Sequence, residues 1–470
     1  MGIVDEFEGV DLGDERRDRR LKQMVGLLEE DPSKSVAGAM RDEAGREGAY
    51  RLLSNEAVEM DAILAPHFKA TSERARETVR VVVAHDTTEI GFPTPREGLG
   101  RVNDSKMGRG FFMHTALVVS NDERRDPLGV IGAQRFLRMK PPAKKKERHS
   151  EVVDESDKES ARWWELVDQV SGRLSSDTQA IHVMDREADN YVLLARLVAG
   201  GLRFVIRARH DRRIELEGHK EPTLRKALAG LEGRVTRGIT IAPREPKPLA
   251  RTVFPPNRVR DAQLEFHATT VSICRPKPSP ATDIELPETL ELNVVHVVEI
   301  NPPEGYEPID WKLETTEPIS TSEEITAIVD AYDRRWVIEE YFKALKTGCA
   351  IEKRELEGAH SIFNLLGMMM PIAWKLLRLK SLARMASATE PASAVATKLE
   401  ILVLQRHKYT RMTTNNPTVR DVFLAVARLG SHIKNNGPPG WQVLNRGYLE
   451  LIALAEGLAL ARGLTEDDYL

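Results

Sequence analysis

Tyr332, Arg335, Glu339 and Lys346 fall in one predicted helix, the run AYDRRWVIEEYFKALKTG, and bring a carboxylate together with two cations and a phenol. At about 100° per residue, Arg335, Glu339 and Lys346 lie at roughly 300°, 340° and 320° from Tyr332, an arc of about 60°. Such a stripe suits a metal ion facing a phosphodiester. Glu339 would ligate the cation, Arg335 and Lys346 would grip phosphate oxygens, and Tyr332 would add a hydrogen bond. Taken alone, the spacing also describes an exposed helix laced with ion pairs, since Arg335 and Glu339 stand at i,i+4.

Two further carboxylates each end an apolar run. RVVVAHDTTEIGF reads as a buried strand that delivers Asp86 at its C-terminal end, and QAIHVMDREADN does the same for Asp185. Side chains from separate segments converge at strand ends in an α/β sheet. Three carboxylates in one place call for a divalent metal. Each aspartate also has a local reading: Asp86 as the cap of the turn before Thr87 and Thr88, Asp185 as the N-cap of a helix starting near Glu187. His85 and His182, beside the aspartates, read as packed strand neighbours and not as ligands.

With these residues in place the chain resembles a known family, the bacterial cut-and-paste DDE transposases of the "Tn-five" kind within the insertion-sequence-four group. The family's signature of Tyr, two residues, Arg, three residues, Glu, six residues, Lys is met by Tyr332, Arg335, Glu339 and Lys346. DREAD, at 185–189, resembles the stretch holding the second catalytic aspartate, and HDTTE, at 85–89, the first. LGDERRDRRL near the N-terminus, EGAYRLLSN at 47–55, INPPEGYEPIDWKLETTEPI at 300–319 and ARLGSHI at 427–433, with the Trp441 region after it, are similar to family segments in the same order.

The resemblance implies an RNase-H-like α/β catalytic core in which Asp86, Asp185 and Glu339 bind two Mg²⁺ ions, or Mn²⁺ in their place, roughly 4 Å apart. It implies nicking at a transposon end, attack of the freed 3′-hydroxyl on the opposite strand to give a hairpin, hairpin opening, and strand transfer into target DNA. Tyr332, Arg335 and Lys346 would hold DNA phosphates. Trp311 and Trp336 correspond to tryptophans near a base flipped from the stack, although a tryptophan on a strand or helix also serves as core. The implied partners are double-stranded DNA with terminal repeats, target DNA, and a second copy of the chain on paired ends.

Composition is compatible with a nucleic-acid enzyme of two to four domains. The chain has 470 residues, 41% hydrophobic and 30% charged. No run of about 18 apolar residues suggests a membrane span, and the charged start is no signal peptide, so a cytoplasmic protein is expected. Cys274 and Cys349 lack metal or disulfide spacing. The net charge of −4 argues mildly against a nucleic-acid binder, but its distribution is uneven. Arg16, Arg17, Arg19, Arg20 and Lys22 crowd a predicted N-terminal helix, Arg135, Arg138, Lys140, Lys144, Lys145, Lys146 and Arg148 form a second group, and Arg203, Arg207, Arg209, Arg212 and Arg213 a third. Each could neutralise phosphates or simply be a solvated surface. Under the resemblance the first group is the candidate for end-sequence recognition.

Pattern along the chain gives a layout. Residues 1–70 read as a helical DNA-binding domain; 71–211 as the first part of the core, in the order strand, strand, strand, helix, strand, helix, strand; and 212–320 as an antiparallel β insertion of alternating runs between Pro-rich turns. Residues 321–386 complete the core with the Glu-bearing helix, opened by the capping-box pattern TSEE at 321–324, and 387–470 read as a helical dimerisation region. A metal-dependent nuclease or junction resolvase would share the carboxylates without needing the Tyr, Arg, Lys stripe. A glycosidase has no use for a third carboxylate ligand, and a non-catalytic DNA-binding relic would keep the basic groups with its acids as caps. No G-x-x-x-x-G-K-[ST] string is present, which argues against ATP-driven translocation.

Overall fold

The computed structural model describes residues 3–103, 108–138, 161–215, 222–241, 260–278, 282–304, 308–385, 391–432 and 439–463. Lys140, Lys144, Lys145, Lys146 and Arg148 of the second basic group lie outside them.

Four helices come first: α1 (Glu15–Glu30), α2 (Val36–Ala39), α3 (Glu43–Leu53) and α4 (Met60–Thr78). Then follow β1 (Arg80–Phe92), β2 (Arg109–Ser120), β3 (Pro127–Phe136), α5 (Ala161–Arg173), β4 (Gln179–Met184), α6 (Tyr191–Ala199) and β5 (Phe204–Arg207), in the order expected for the core. The next stretch holds β6 (Ile214–Glu215), α7 (Leu224–Leu228), β7 (Val235–Ile241), β8 (Arg260–Cys274), β9 (Thr289–Ile300) and β10 (Asp310–Thr315). The chain then turns helical: α8 (Ser322–Asp333), α9 (Trp336–Lys343), α10 (Ala359–Met385), α11 (Lys398–Arg406), α12 (Val419–Leu429) and α13 (Trp441–Arg462).

All ten strands belong to one sheet of order β3-β2-β1-β4-β5-β10-β9-β8-β6, with β7 also on β8. Only β1 with β4 and β4 with β5 are parallel among these pairs. The alternating runs of the predicted insertion become β7, β8 and β9, and β10 pairs with both β9 and β5, so these strands continue the core sheet. Val81, Val82, Val83 and Ala84 are fully buried because β1 is central, with helices on both faces. Val82 packs with the α8 side, while Val81 and Val83 pack with Leu166 and Val170 of α5. The side-chain period of two therefore sends odd and even residues of β1 to different helices.

One hydrophobic core runs from the N-terminal helices through β1, β2 and β3 to α9 and α10. Polar ties reinforce it: Asn364 of α10 donates to the carbonyls of Leu53 and Val58 at 3.0 and 2.9 Å, and buried Arg354 reaches the carbonyls of Pro32 and Cys349. Thr321 and Glu324 form the capping box that starts α8, as the TSEE pattern indicates.

Helices α11, α12 and α13 build a separate small core. α12 and α13 approach at Gly430 and Gly447, where a Cβ on Gly447 would stand 1.8 Å from the Val426 carbonyl oxygen. Gly447→Ala is expected to push the two helices apart and to cost about 1–3 kcal/mol. Hydrogen exchange of the amides in α12 and α13 would show it as faster exchange confined to those helices.

Candidate active site

The parallel β1–β4 ladder closes with His85 opposite Met184. Asp86 and Asp185 are the next residue on each chain, so two carboxylates leave neighbouring strands, about 4.8 Å apart, at the same level and towards the same face. Asp86 does not end its strand as the sequence reading had it: β1 runs on to Phe92 because β2 pairs with it along its whole length. Only the partnership with β4 stops at Asp86. The row extends to Arg207, which follows Ile206 just as Asp185 follows Met184, its partner on β4.

Both local readings of the aspartates are partly visible. Asp86 Oδ1 accepts from the Thr87 amide at 2.8 Å, and Asp185 Oδ1 from the Glu187 amide at 2.8 Å. Asp185 is nevertheless no N-cap. Helix α6 begins at Tyr191, where the Asn190 side chain accepts from the Val192 and Leu193 amides. In the same DREAD string, Asp189 is structural: its buried carboxylate accepts from the Arg209 and His210 amides at 2.6 and 2.8 Å and from the Arg212 guanidinium.

Glu339 arrives from α9 on the Asp86 side. The single helix predicted over Tyr332, Arg335, Glu339 and Lys346 is in fact broken. After Asp333 the backbone bonds shorten to three-residue steps, Arg335 to Tyr332, Val337 to Arg334 and Ile338 to Arg335, at 3.0, 3.1 and 3.1 Å. Beyond Lys343 they widen into a π turn, Ala344–Gly348. Steps of 100° do not hold through either segment. The β2–β3 turn clamps the first break: Arg125 pairs with Asp333 at 2.6 Å, and Arg334 donates to the Asp122 carbonyl at 2.9 Å.

The break places Arg335 at the centre of the site. Its Nη1 is 3.1 Å from Asp86 Oδ2 and its Nη2 is 2.9 Å from Glu339 Oε1, so one guanidinium bridges a strand acid and a helix acid. Its Cζ also lies 4.9 Å from the Trp336 ring centre and 5.8 Å from that of Tyr332. Burial lifts Asp86 to about 7: the pull of Arg335 is outweighed by burial together with the charges of Asp185 and Glu339. The three acids thus feel one another. Among the described residues, however, no three histidine, cysteine or carboxylate side chains are gathered closely enough to hold an ion. The two observations agree if Arg335 lies among acids that still stand apart.

The remaining expected residues are distributed around this centre. Tyr332 is buried, with its ring 5.5 Å from that of Trp311 on β10, while Trp336 is 46% exposed. Lys346 bonds the Glu89 carbonyl and stands 3.7 Å from Glu352. Arg207, beside Asp185 in the row, donates to the Asp310 carbonyl at 3.3 Å. Arg16 and Arg19 of α1 are exposed. Arg17 bonds the Leu12 carbonyl, Lys22 pairs with Glu8, and Arg20 lies against Gly48 of α3. The basic segment is thus a partly engaged helix face. His85 and His182 bond each other at 2.9 Å on the opposite side of the sheet, buried, with pKa values held low by burial.

Sequence reasoning missed Glu314, a fully buried carboxyl on β10 whose two oxygens have no hydrogen-bond partner among the described residues. Burial, with Asp189 nearby, raises it to about 8. Its place in the motif-like string WKLET gave no hint of it, because only the β10 register turns it inward.

Chemically, the donor set is carboxylate oxygen alone, which suits a hard divalent cation. The donor chemistry fits such a cation, and the positions do so once Arg335 leaves the oxygens of Asp86 and Glu339. A mixed α/β sheet with acids on neighbouring strands, a facing helix acid and cations alongside is an arrangement compatible with phosphodiester chemistry. Residues 3–58 match the family model "Transposase DNA-binding", and residues 148–373 match "Transposase DDE domain". The chain thus carries a transposase DNA-binding region followed by a transposase DDE domain. The match to the DDE domain implies an RNase-H-like core, and enzymes of this kind work with divalent metal ions. Asp185 and Glu339 lie inside the matched stretch, and Asp86 is joined to it by the β1–β4 ladder. A solved structure of piggyBac transposase in a synaptic complex with hairpin DNA is similar at 10% identity, over 90% of this chain and 62% of that one, with a TM-score of 0.29. Among the described residues no helix is long and apolar enough to cross a membrane.

Proposed function

We propose that the chain excises and inserts a bacterial transposable element by a cut-and-paste route: nicking at the element's end, hairpin formation, hairpin opening and strand transfer. The observation that carries this reading is the arrival of Asp86 and Asp185 side by side beyond the β1–β4 ladder, with Glu339 linked to Asp86 through Arg335. Asp86, Asp185 and Glu339 would hold two Mg²⁺ ions, or Mn²⁺ in their place. Ions bound there supply an activated water or 3′-hydroxyl and a stabilised leaving oxygen.

The protein's own groups do the rest. Arg335 and Lys346, with the Tyr332 hydroxyl, hold phosphates flanking the reacting one. Trp311 and Trp336 offer faces for a displaced base, and exposed Trp336 is the readier of the two. Residues 1–70, with Arg16, Arg17, Arg19, Arg20 and Lys22, read the terminal repeats. The helices after 387 join two copies on paired ends. The work is done in the cytoplasm, on the nucleoid.

A fragment carrying the element's own end, incubated with the protein in Mg²⁺ and resolved on a denaturing gel, tests the route. Hairpins and joined products that vanish in EDTA are expected. Cleavage with neither hairpin nor joining would indicate a nuclease, and binding without chemistry a relic.

A further inference from the structure

We propose that Arg335 is a tethered counter-cation that keeps divalent metal from the carboxylates until a DNA phosphate draws its guanidinium away, so that metal and DNA binding favour each other. This rests on Asp86, Asp185 and Glu339 being the metal ligands.

The geometry carries it. One guanidinium spans Asp86 and Glu339 at 3.1 and 2.9 Å, taking oxygens from two of the three acids that a metal needs. A guanidinium and a divalent cation cannot share those oxygens at contact distance, because their charges repel in a buried site. The bridge also places one positive charge between two carboxyl groups at little conformational cost, since Arg335 and Glu339 stand at i,i+4. It is not the arginine's fullest set of bonds, however. Its Nε is buried with no hydrogen-bond partner among the described residues, a donor left for another acceptor. Beside it stand two aromatic rings, buried Tyr332 and exposed Trp336, the latter 4.9 Å away and opening to solvent. The guanidinium already lies within cation–π distance of exposed Trp336, so it can swing from the acids towards an arriving phosphodiester with that ring still beside it. Phosphate accepts the fork that the acids release, and the acids are then free to close on metal.

Reciprocity follows: whatever factor DNA adds to metal affinity, metal adds to DNA affinity. The DNA-free enzyme is thereby kept poorly metallated, which limits hydrolysis away from a bound end.

The test counts Mn²⁺ bound to DNA-free protein by the electron paramagnetic resonance of the free ion. Wild type, Arg335→Gln, Arg335→Lys and Asp185→Asn are compared, with folding checked by circular dichroism. Arg335→Gln is expected to bind Mn²⁺ at least tenfold more tightly than wild type. A duplex of the element's end should raise wild type towards that level and leave the variant nearly unchanged. Arg335→Lys, whose ammonium cannot span both acids, should fall between, and it serves if the glutamine variant fails to fold. Trp336 emission in wild type should shift on Mg²⁺ addition as the cation over its ring moves. Affinity in Arg335→Gln equal to or weaker than wild type, with DNA still strengthening binding, would overturn the gate. Asp185→Asn, compared with wild type in the presence of the end duplex, separates the two levels: lost Mn²⁺ binding there with no gain in DNA-free Arg335→Gln sinks the gate alone, whereas unchanged Mn²⁺ binding in duplex-bound Asp185→Asn sinks the metal site beneath it.

Discussion

Asp185→Asn is expected to lower strand cleavage by about a thousandfold or more while leaving thermal unfolding almost unmoved. The substitution preserves the local turn, because an amide oxygen can still accept from the Glu187 amide as Asp185 Oδ1 does at 2.8 Å. What it removes is an anionic metal ligand, and a metal ion stabilises transition-state charge by several kcal/mol, each 1.36 kcal/mol being tenfold in rate. Glu339→Gln should behave alike, although Arg335 then loses one of its two carboxylates. Cleavage assays with melting curves of the same preparations would check both. If Asp185 were merely a turn residue, Asn would serve as well and activity would persist.

Glu314→Gln is expected to abolish roughly half of a steep loss of stability as pH rises from 4.5 towards 8. Burial raises this acid to about 8, above an ordinary value of 4.5. Between those values the native state keeps a proton that the unfolded chain has released, so the free energy of unfolding falls as pH rises. The slope is about 1.4 kcal/mol per pH unit, several kcal/mol across the window, and it flattens once native Glu314 ionises as well. Arg212, 4.0 Å away, cannot rescue the anion cheaply because Asp189 already holds it. Glutamine stays neutral throughout. Urea unfolding at pH 4.5, 6 and 7.5 should give similar stability for the two proteins at the lowest pH and a widening advantage for the variant above it. Parallel curves would mean that Glu314 is not carried as a neutral acid. Asp86, raised to about 7, adds a slope of the same sign in metal-free protein, so the variant keeps a residual decline.

Much of the site was legible because its cues are local. Apolar runs ending near Asp86 and Asp185, the Thr321–Glu324 cap and the alternating runs of β7 to β9 all appear where patterns of period two or a cap motif place them. The helix carrying Glu339 was legible as a helix but not as a broken one. Its break depends on Arg125 and the Asp122 carbonyl of a hairpin some two hundred residues earlier, and its π turn on packing against the core. Hence Lys346 was placed on the stripe with Glu339, whereas it reaches back to the β1 backbone at Glu89. The length of β1 was misread for a similar reason: pairing with β2 is non-local, and the run DTTEIGF is polar enough to resemble a strand's end. Glu314 was invisible because burial of one face of β10 is decided by neighbours that no window around it contains. Arg207 was noted only as one of a basic group, and its place beside Asp185 emerges from the β4–β5 register.

The most direct measurement of the central claim, that Asp86, Asp185 and Glu339 act through bound metal on DNA, is a change of metal preference. Asp185→Cys would replace a hard oxygen by a softer thiolate at a half-buried position whose turn it need not disturb. Cleavage of an end fragment by this variant should be lost in Mg²⁺ and partly restored in Mn²⁺, with wild type active in both. Cleavage by Asp185→Cys in Mg²⁺ at the wild-type rate would contradict the account, since Asp185 would then touch no metal.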